Sequence, residues 1–347
     1  MTYLSLIAGT EYMPPAGTLT TITSYLLDGQ RPMIYTSPSI TMLSQTANPI
    51  PMTIYDLLVK GREITRPPNG TMEYPASVIR QSAALIAAVT PPLPRQADWK
   101  AFAEQLAGAS GASNSQGTRH YPYGDYSTHY ATPSGGSASN SDSDSKFESG
   151  PDSWMQGIKI WSSRTYSSEC VNDEGQRSWH MASGTLTSYI SGGEYLGVFP
   201  VWNWTSLPGL TAVQGVHQNP CSAVKQLGSN DAAGGAALGP AGGVTMYDFV
   251  SGNFASDSSE YSKLTARKAY AHLPGLGTVV MIADLNQGPD KSGKKPWVTT
   301  TLEQSLLHGD VVVGLGDGTE QVLPLGEHAV EAASWVWHAG IGYISLE

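Results

Sequence analysis

Apolar positions in the first part of the chain recur at intervals of three and four, and Pro or Gly interrupts the pattern repeatedly. Such spacing places the apolar side chains on one face of a helix. It predicts helices at 18–28, 53–61, 76–89 and 96–107, the third of which is followed by Pro91-Pro92. The N-terminal part of the chain is therefore predicted to be helical.

The pattern changes after a Ser-, Asp-, Gly- and Asn-rich stretch at 134–152, which predicts a loop. Short runs of β-branched and aromatic residues bounded by turn residues then predict strands. These runs lie at 157–161, 196–201, 278–282 and 310–313. The Gly- and Ala-rich stretch 228–243 predicts another loop. We therefore expect a helical piece followed by a large antiparallel β domain, with the boundary near 108–117.

Composition agrees with turn-rich β structure. The 347 residues include 38 Gly and 23 Pro, and only 14% are charged, against about 25% in an average protein. A coiled coil or a long helical array needs more Glu, Lys, Leu and Ala. The 40% of hydrophobic residues argues against a disordered chain.

Charge and cysteine content exclude several classes of function. The net charge of −10 and the absence of a Lys/Arg run in the sequence argue against nucleic acid as a partner. No apolar run is long enough for a membrane span, and the start of the chain lacks the basic residues of a signal peptide. The histidines are scattered, so we expect no metal and no cofactor. Cys170 and Cys221 allow either one disulfide or two buried thiols.

Two polar clusters are candidates for ligand binding. Arg62 and Arg66 would lie on one face of a helix, where two guanidiniums suit a carboxylate or a sulfate, although a solvated helix edge has the same pattern. The stretch 164–179 is dense in charged and amide side chains, which is also typical of an ordinary polar loop.

Seven segments, taken in chain order, resemble polysaccharide lyase family 8, the hyaluronate, chondroitin, xanthan and alginate lyases. They are Gly61–Arg66, His120–Asp125 with His129, Ser162–Arg164 with Glu169–Glu174, Trp202–Thr211, Leu264–Tyr270, Thr300–Gln304 and Gly340–Tyr343. Seven matches in the same order are far more specific than any one of them.

The resemblance implies a fold and a partner. The family joins an α/α toroid to a large antiparallel β supersandwich of the galactose-mutarotase-like kind. Residues 1–110 would be the end of the toroid, and residues 111–347 the central sandwich. The partner would be an acidic polysaccharide of the glycosaminoglycan, xanthan or alginate type. The resemblance also implies an extracellular, secreted monomer that binds neither nucleic acid nor a membrane.

The implied activity is that of a carbon–oxygen lyase that cleaves a uronate-containing glycan by β-elimination. Arg62 and Arg66 would face the substrate cleft, and Glu169 and Asn172 would be the contribution of the sandwich to it. Three further residues, Arg164, Trp202 and Trp204, would bind substrate. The alternative for the two tryptophans is ordinary sandwich core.

One departure from the family pattern affects the catalytic residues. No histidine precedes His120, whereas the catalytic histidine of the family lies well upstream. The positions of the family's histidine and tyrosine fall on Ile7 and Ala16, and a shifted register makes Tyr12 the acid. We therefore expect the chain to begin after or inside the catalytic segment. The alternatives are a non-catalytic carbohydrate-binding β-sandwich and, less favoured, a structural β domain.

Overall fold

The structure is a computed structural model. It describes residues 2–35, 76–106, 116–131, 154–165, 180–190, 194–195, 198, 201–214, 227–228, 230–251, 264–288, 293 and 297–345. The predicted helix at 53–61 and the predicted loop at 134–152 lie outside these residues. Within them, helices come first and antiparallel strands follow, as expected.

The helices are α1 (Thr2–Ile7), α2 (Ala16–Ser24), α3 (Ala76–Ala87) and α4 (Gln96–Leu106). The chain continues from α2 through a π-helical turn and a 3₁₀ turn, Tyr25–Gln30 and Arg31–Met33. The predictions at 18–28, 76–89 and 96–107 are thus confirmed. The helix α1 was not predicted, because six residues are too few to display a helical period. None of the described helices is long and apolar enough to cross a membrane.

The helices share an apolar core of their own. Its buried members are Leu4, Leu27, Ile34, Ala83, Ile86, Leu93, Trp99, Phe102 and Leu106. At its edge, the guanidinium of Arg31 lies over the Phe102 ring, and its Nε donates to Oε1 of Gln105. The helices therefore pack as a layer, since their apolar faces meet one another.

The described strands run from Gly117 to Ile344. They are β1 (Gly117–Tyr121), β2 (Tyr126–Ala131), β3 (Trp154–Lys159), β4 (Thr185–Tyr189), β5 (Thr211–Val213), β6 (Ala233–Ala237), β7 (Gly243–Val250), β8 (Leu264–Leu273), β9 (Gly277–Gln287), β10 (Val298–Thr300), β11 (Val311–Leu315), β12 (Glu320–Leu323), β13 (Ala333–His338) and β14 (Ile341–Ile344). The pairing is antiparallel throughout these strands, in the orders β1-β2-β3-β4, β6-β7-β8-β9, β12-β11-β13-β14 and β10-β5. The mostly β, antiparallel fold is confirmed.

The sheet β1–β4 is buried on both faces. Because successive side chains of a strand point to opposite faces, Tyr126 and Tyr130 of β2 enter one core while Ser127 and His129 face the second sheet. The hydroxyl of Tyr130 donates to the Ile34 carbonyl at 2.9 Å, so the helical layer covers the tyrosine face. The opposite face packs on the sheet β6–β9 through an apolar cluster formed by Ile158, Ile160, Leu186, Val213, Tyr247, Phe249, Leu264, Ala266 and Tyr270.

One loop prediction and one strand prediction were wrong. The stretch 228–243 contains the strand β6, paired in register with β7, and its small residues are explained by close packing. A Cβ on Gly235 would lie 2.7 Å from Nδ1 of His120. In the predicted strand 196–201, the described Val198 and Val201 form a turn instead, because the Val198 carbonyl accepts hydrogen bonds from the Val201 and Trp202 amides. The strand predictions at 157–161, 278–282 and 310–313 fall on β3, β9 and β11, with shifted ends.

Candidate functional site

A buried carboxylate joins two of the segments on which the resemblance rests. Asp125 is the last residue of the β1–β2 turn, is fully buried and has a φ of 45°. Its Oδ2 accepts hydrogen bonds from the Ser162 hydroxyl and, at 2.7 Å, from Oγ1 of Thr165. Its Oδ1 lies 2.5 Å from Nη2 of Arg164. The carboxylate therefore holds three side chains from one four-residue stretch.

Arg164 connects three parts of the sandwich. Besides its ion pair with Asp125, its Nη2 donates to the Ala233 carbonyl at 3.0 Å, and its Nε donates to the Pro122 carbonyl at 3.2 Å. The side chain is 35% exposed. These internal bonds occupy Nε and Nη2 of the guanidinium, and the substrate-binding role of Arg164 stays a prediction. Nearby, burial lowers the pKa of Lys159 to about 8, and the Asp125 charge opposes that shift.

A second junction joins two more of the segments. The side chain of Gln304 accepts a hydrogen bond from the Asn203 amide at 2.7 Å and donates to the carbonyls of Asn203 and Ser206 at 3.1 and 2.8 Å. The Gln304 carbonyl accepts from Nε1 of Trp202 at 2.8 Å. The Thr300–Gln304 segment therefore fixes the turn that begins at Trp202.

Beside this junction lies the carboxyl of Glu303. It accepts hydrogen bonds from the hydroxyls of Tyr195 and Tyr343, each at 2.9 Å, and from the Gln304 amide at 2.8 Å. Burial raises the pKa of Glu303 to about 7, and the nearby Glu194 adds to the rise, while the hydrogen bonds oppose it. Burial also raises the pKa of Tyr343. At neutral pH this carboxyl is therefore partly protonated.

A buried ammonium group links the second sheet to the same turn. Lys268 of β8 donates to the Gly209 carbonyl at 3.1 Å and to Oγ1 of Thr211 at 3.2 Å. Thr211 in turn shares a 2.9 Å hydrogen bond with Thr300. Burial lowers the pKa of Lys268 to about 7. The segments Trp202–Thr211, Leu264–Tyr270 and Thr300–Gln304, distant in sequence, thus meet at one amine.

The outer face of the sheet β6–β9 forms an open depression of a different character. Met246, Met281 and Ile282 line it together with small residues, so its surface is largely apolar. Arg267 stands on the same face but is paired with Asp284. An acidic glycan needs unpaired cations, so this face is a poor candidate for binding it.

The predicted site residues fall into three groups. Arg62, Arg66, Glu169 and Asn172 lie outside the described residues, as do Cys170 and Cys221. Tyr12 lies between α1 and α2 and is 71% exposed. Arg164 lies in the Asp125 network described above.

Trp202 and Trp204 differ from the expectation that they bind sugar. They are 6% and 5% exposed, and their rings meet edge to face in an aromatic core. A sugar ring needs an open aromatic face for stacking, and side chains this little exposed do not present one. Their positions agree with the alternative expectation of ordinary core.

Asp125 and Glu303 were not singled out from the sequence. Both lie inside the resembling segments, and that position was the available signal. Their burial could not be predicted, because it depends on contacts between distant segments. Among the described residues, no group of three His, Cys, Asp or Glu side chains is arranged to hold a metal ion.

Residues 141–347 match the model of polysaccharide lyase family 8, super-sandwich domain. That match covers more than half of the chain. The chain belongs to polysaccharide lyase family 8. The sequence resemblance noted above is therefore confirmed at the level of the family, and the sheets described here lie largely within the matched super-sandwich domain.

One curated relative and several solved structures are similar to this chain, the structures in fold. Chondroitinase AC of Pedobacter heparinus is 28% identical over 188 residues, which are 54% of this chain and 24% of the relative. A solved chondroitinase AC lyase superposes with a TM-score of 0.66 at 20% identity, over 99% of this chain and 42% of the other. A Paenibacillus xanthan lyase gives 0.57 at 16% identity, over 98% and 31%. The chain thus spans about a quarter of the curated relative and less than half of these solved structures.

Proposed function

We propose that this family member acts in the cleavage of an acidic, uronate-containing polysaccharide by β-elimination. The observation that carries the proposal is the match of residues 141–347 to the super-sandwich domain of the lyase family. Similarity to a chondroitinase supports a glycosaminoglycan as the substrate class. A solved chondroitin AC lyase of Streptomyces coelicolor, similar in fold with a TM-score of 0.53, binds chondroitin sulphate.

The reaction balances without a cofactor. A base removes the C5 proton of the uronate, and the C5–H electron pair becomes the C4=C5 double bond. The C4–O bond breaks at the same time, and an acid protonates the departing oxygen. The C6 carboxylate must first be neutralised, because negative charge develops next to it as the proton leaves.

Four residues are proposed for substrate orientation. Arg62 and Arg66 would hold the anionic groups of the sugar, since paired guanidiniums suit carboxylates and sulfates. Asn172 would hydrogen-bond the substrate or a catalytic side chain, and Glu169 would hold the arginines in place. These roles follow from the positions of the residues in the resembling segments.

Tyr12 is proposed as the acid that protonates the departing oxygen. Its exposed side chain is open to a ligand, which supports the proposal. A phenol suits this task because it can donate a proton and stay close to the oxygen that accepts it. The base is left unassigned, because the expected upstream histidine has no counterpart in this sequence.

The setting proposed for this activity is extracellular, with the chain acting as a secreted monomer. The family's substrates named above are polymers, which a cell meets outside its membrane. The net charge of −10 means that a few placed arginines, rather than the overall field, would attract the polyanion. Neither a nucleic acid nor a membrane is proposed as a partner.

A panel of polymers tests the proposal. Chondroitin sulfate, hyaluronan, xanthan and alginate are incubated with the chain, and the ultraviolet absorbance of unsaturated uronate is followed. We expect absorbance with at least one polymer, and its loss in Arg62→Ala and Arg66→Ala. Arg267→Ala, which removes an exposed arginine already paired with Asp284, is the matched control and should retain activity.

The same panel separates the lyase from the binding alternative. Retention of a polymer on an affinity gel without turnover would favour a non-catalytic carbohydrate-binding sandwich. Unchanged retention in Arg62→Ala would contradict the arginine roles in both functions. The absence of both the absorbance and the retention would contradict both functions.

A further inference from the structure

Trp297 is the most exposed of the tryptophans that the structure describes. It is 82% exposed, whereas Trp202 and Trp204 are 6% and 5% exposed. A tryptophan is usually largely buried, because its ring has a large apolar face that water solvates poorly. Trp297 directly precedes the short strand β10, which pairs with β5. The ring is therefore presented to solvent from the end of a paired strand.

Gln214 lies opposite Trp297 at this end of the pair. The Gln214 amide donates to the Trp297 carbonyl at 2.8 Å, one step beyond the pair that Val213 forms with Val298. Residues directly opposite in an antiparallel pair have Cβ atoms about 4.5–5.5 Å apart, and their side chains leave the pair on the same face. The Trp297 ring and the Gln214 carboxamide are therefore neighbours.

The Gln214 carboxamide begins a row of polar groups beside that ring. Its Nε2 donates to the Thr205 carbonyl at 3.0 Å, and its Oε1 accepts from the Ser206 hydroxyl at 3.3 Å. The Ser206 hydroxyl oxygen in turn accepts from Nδ2 of Asn203 at 3.1 Å. The row thus runs from Gln214, next to the ring, through Ser206 to the exposed Asn203.

Asn203 has a hydrogen-bond donor that this row does not use. Its Oδ1 accepts from the amide and the hydroxyl of Thr205, at 3.1 and 2.8 Å, and these bonds orient the carboxamide. Its Nδ2 carries two hydrogens, and Ser206 accepts one of them. The side chain of Gln304 also holds the backbone of Asn203 and Ser206. Because the residue is exposed, the second hydrogen of Nδ2 is open to a ligand.

We propose that Trp297, Ser206 and Asn203 form a binding surface for a pyranose unit of a polysaccharide. The C–H face of a pyranose is apolar and packs on an aromatic ring, while the hydroxyls at its edge need hydrogen-bonding partners. An exposed ring beside an oriented row of hydroxyl and amide groups meets both needs. The groups of this surface are uncharged, so they bind the sugar ring and its hydroxyls. The inference rests on the proposed function for the class of polymer.

Oxidation by N-bromosuccinimide tests the surface without any substitution. The reagent attacks exposed indoles, so Trp297 should react before Trp202 and Trp204, which serve as internal references. The full chain is treated alone and with chondroitin sulfate, hyaluronan, xanthan or alginate, and mass spectrometry follows each peptide. We expect at least one polymer to slow the oxidation of Trp297. An unchanged rate at Trp297 with all four polymers would overturn the inference.

Affinity gel electrophoresis with the protecting polymer measures the Kd of variants. Trp297→Ala removes the ring and should weaken binding about tenfold, a change of about 1.4 kcal/mol. Trp297→Phe keeps a flat ring and should retain more of the affinity. Asn203→Ser keeps an acceptor for the Thr205 amide in a similar turn but removes the carboxamide donor, so it should also weaken binding. Tyr123→Ala removes another exposed aromatic residue, 92% exposed, and is the matched control that should bind normally.

The outcomes separate this surface from the proposed elimination. Equal affinity of Trp297→Ala and the unmodified chain would overturn the inference, as would equal losses in Trp297→Ala and Tyr123→Ala. Elimination is read separately, as the absorbance of unsaturated uronate produced by the unmodified chain. Binding that depends on Trp297 without any absorbance would support the surface and contradict the lyase activity. Absorbance together with normal affinity in Trp297→Ala would support the lyase activity and refute the surface.

Discussion

The hydroxyl of Tyr343 lies 2.9 Å from Oε2 of Glu303 and donates a hydrogen bond to it. This contact ties the β13–β14 hairpin to the segment that also fixes the Trp202 turn. Tyr195 donates to the same carboxyl, which therefore has two phenols and one amide as partners. A half-buried carboxyl at such a junction, desolvated by its neighbours, makes the stability of the sandwich depend on pH.

Glu303 should lower the stability of the fold as the pH rises. Its pKa is raised from 4.5 to about 7, so between these values the folded chain keeps a proton that the unfolded chain has released. The stabilisation is complete below the unfolded pKa and is lost as the pH rises through about 7, at most about 3 kcal/mol. Glu303→Gln should remove this dependence in urea unfolding at several pH values. The exposed control Glu320→Gln should keep it, and an unchanged slope in Glu303→Gln would contradict the burial argument.

The titration of Lys268 should change the stability of the fold in a higher pH range than that of Glu303, and with the opposite sign. Its pKa is lowered from 10.5 to about 7, so over this range the unfolded chain binds the proton that the folded chain has lost. The free energy of unfolding therefore rises with pH across this window, and the gain is lost as the pH falls toward about 7. Lys268→Met should flatten this rise in unfolding experiments. Persistence of the full rise in that variant would show that another group titrates there.

The size of the side chain at position 268 matters separately from its charge. Lys268 is 1% exposed, and its ammonium lies 5.8 Å from the centroid of the Phe249 ring. Methionine fills similar space, whereas alanine leaves a cavity that costs about 2–5 kcal/mol in a core. In the same unfolding measurement, Lys268→Ala should be clearly less stable than Lys268→Met.

His272 should make the two packed sheets sensitive to acid. Its ring stacks on His129 at 5.2 Å between centroids, and its nitrogens lie 3.0 and 3.3 Å from the hydroxyls of Thr278 and Thr245. Burial, with a smaller contribution from His129, lowers its pKa from 6.5 to about 3. Stability is thus present above the unfolded pKa and is lost as the pH falls from 6.5 toward about 3, by about 1.4 kcal/mol per pH unit at most.

Acid unfolding of His272→Asn checks this expectation. The variant should lose stability less steeply than the unmodified chain over the acidic window, because one buried base has been removed. His328→Asn alters an exposed histidine and should leave the acid limb where it is. If the unmodified chain and both variants lose stability equally as the pH falls, other groups cause the acid sensitivity.

Gln304 should be the residue on which the Trp202 turn depends most. Its amide makes three hydrogen bonds to backbone groups of Asn203 and Ser206. Gln304→Ala removes these hydrogen bonds and should cost about 0.5–1.5 kcal/mol in urea unfolding. Gln304→Glu should be no better, because a carboxylate would face two carbonyl oxygens. The exposed Gln321→Ala is the control, and a Gln304→Glu variant as stable as the unmodified chain would refute the assigned contacts.

Elements with a clear period were predicted well. The apolar spacing of 76–89 matches α3, and the β-branched run at 278–282 lies within β9. The strand β6 was missed because five Gly and Ala residues carry no hydrophobic pattern, and its pairing with β7 is visible only in the fold. The sequence pattern thus predicted an element where apolar and polar side chains recur with a period. It predicted none where tight packing selects small residues.

The candidate site was predicted only in part, for a related reason. The resembling segments were found from the sequence, and the structure brings His120–Asp125 to Ser162–Arg164 through one carboxylate. Which polar residue of a segment turns inward depends on its partners across the sandwich. Lys268 shows this, because it occupies an inward position of β8 between Ala266 and Tyr270 and finds its acceptors on a different segment.

The central claim is that the chain serves an elimination reaction on an acidic glycan. It is tested most directly by digestion of chondroitin sulfate in water enriched in heavy oxygen, followed by mass spectrometry of the products. Elimination predicts oligosaccharides that end in an unsaturated uronate and, when sampled before the new reducing end exchanges its anomeric oxygen with water, contain no heavy oxygen from the solvent. Products that contain one solvent oxygen for each cleaved bond would show hydrolysis and contradict the account, as would the absence of any cleavage of this or the other three polymers.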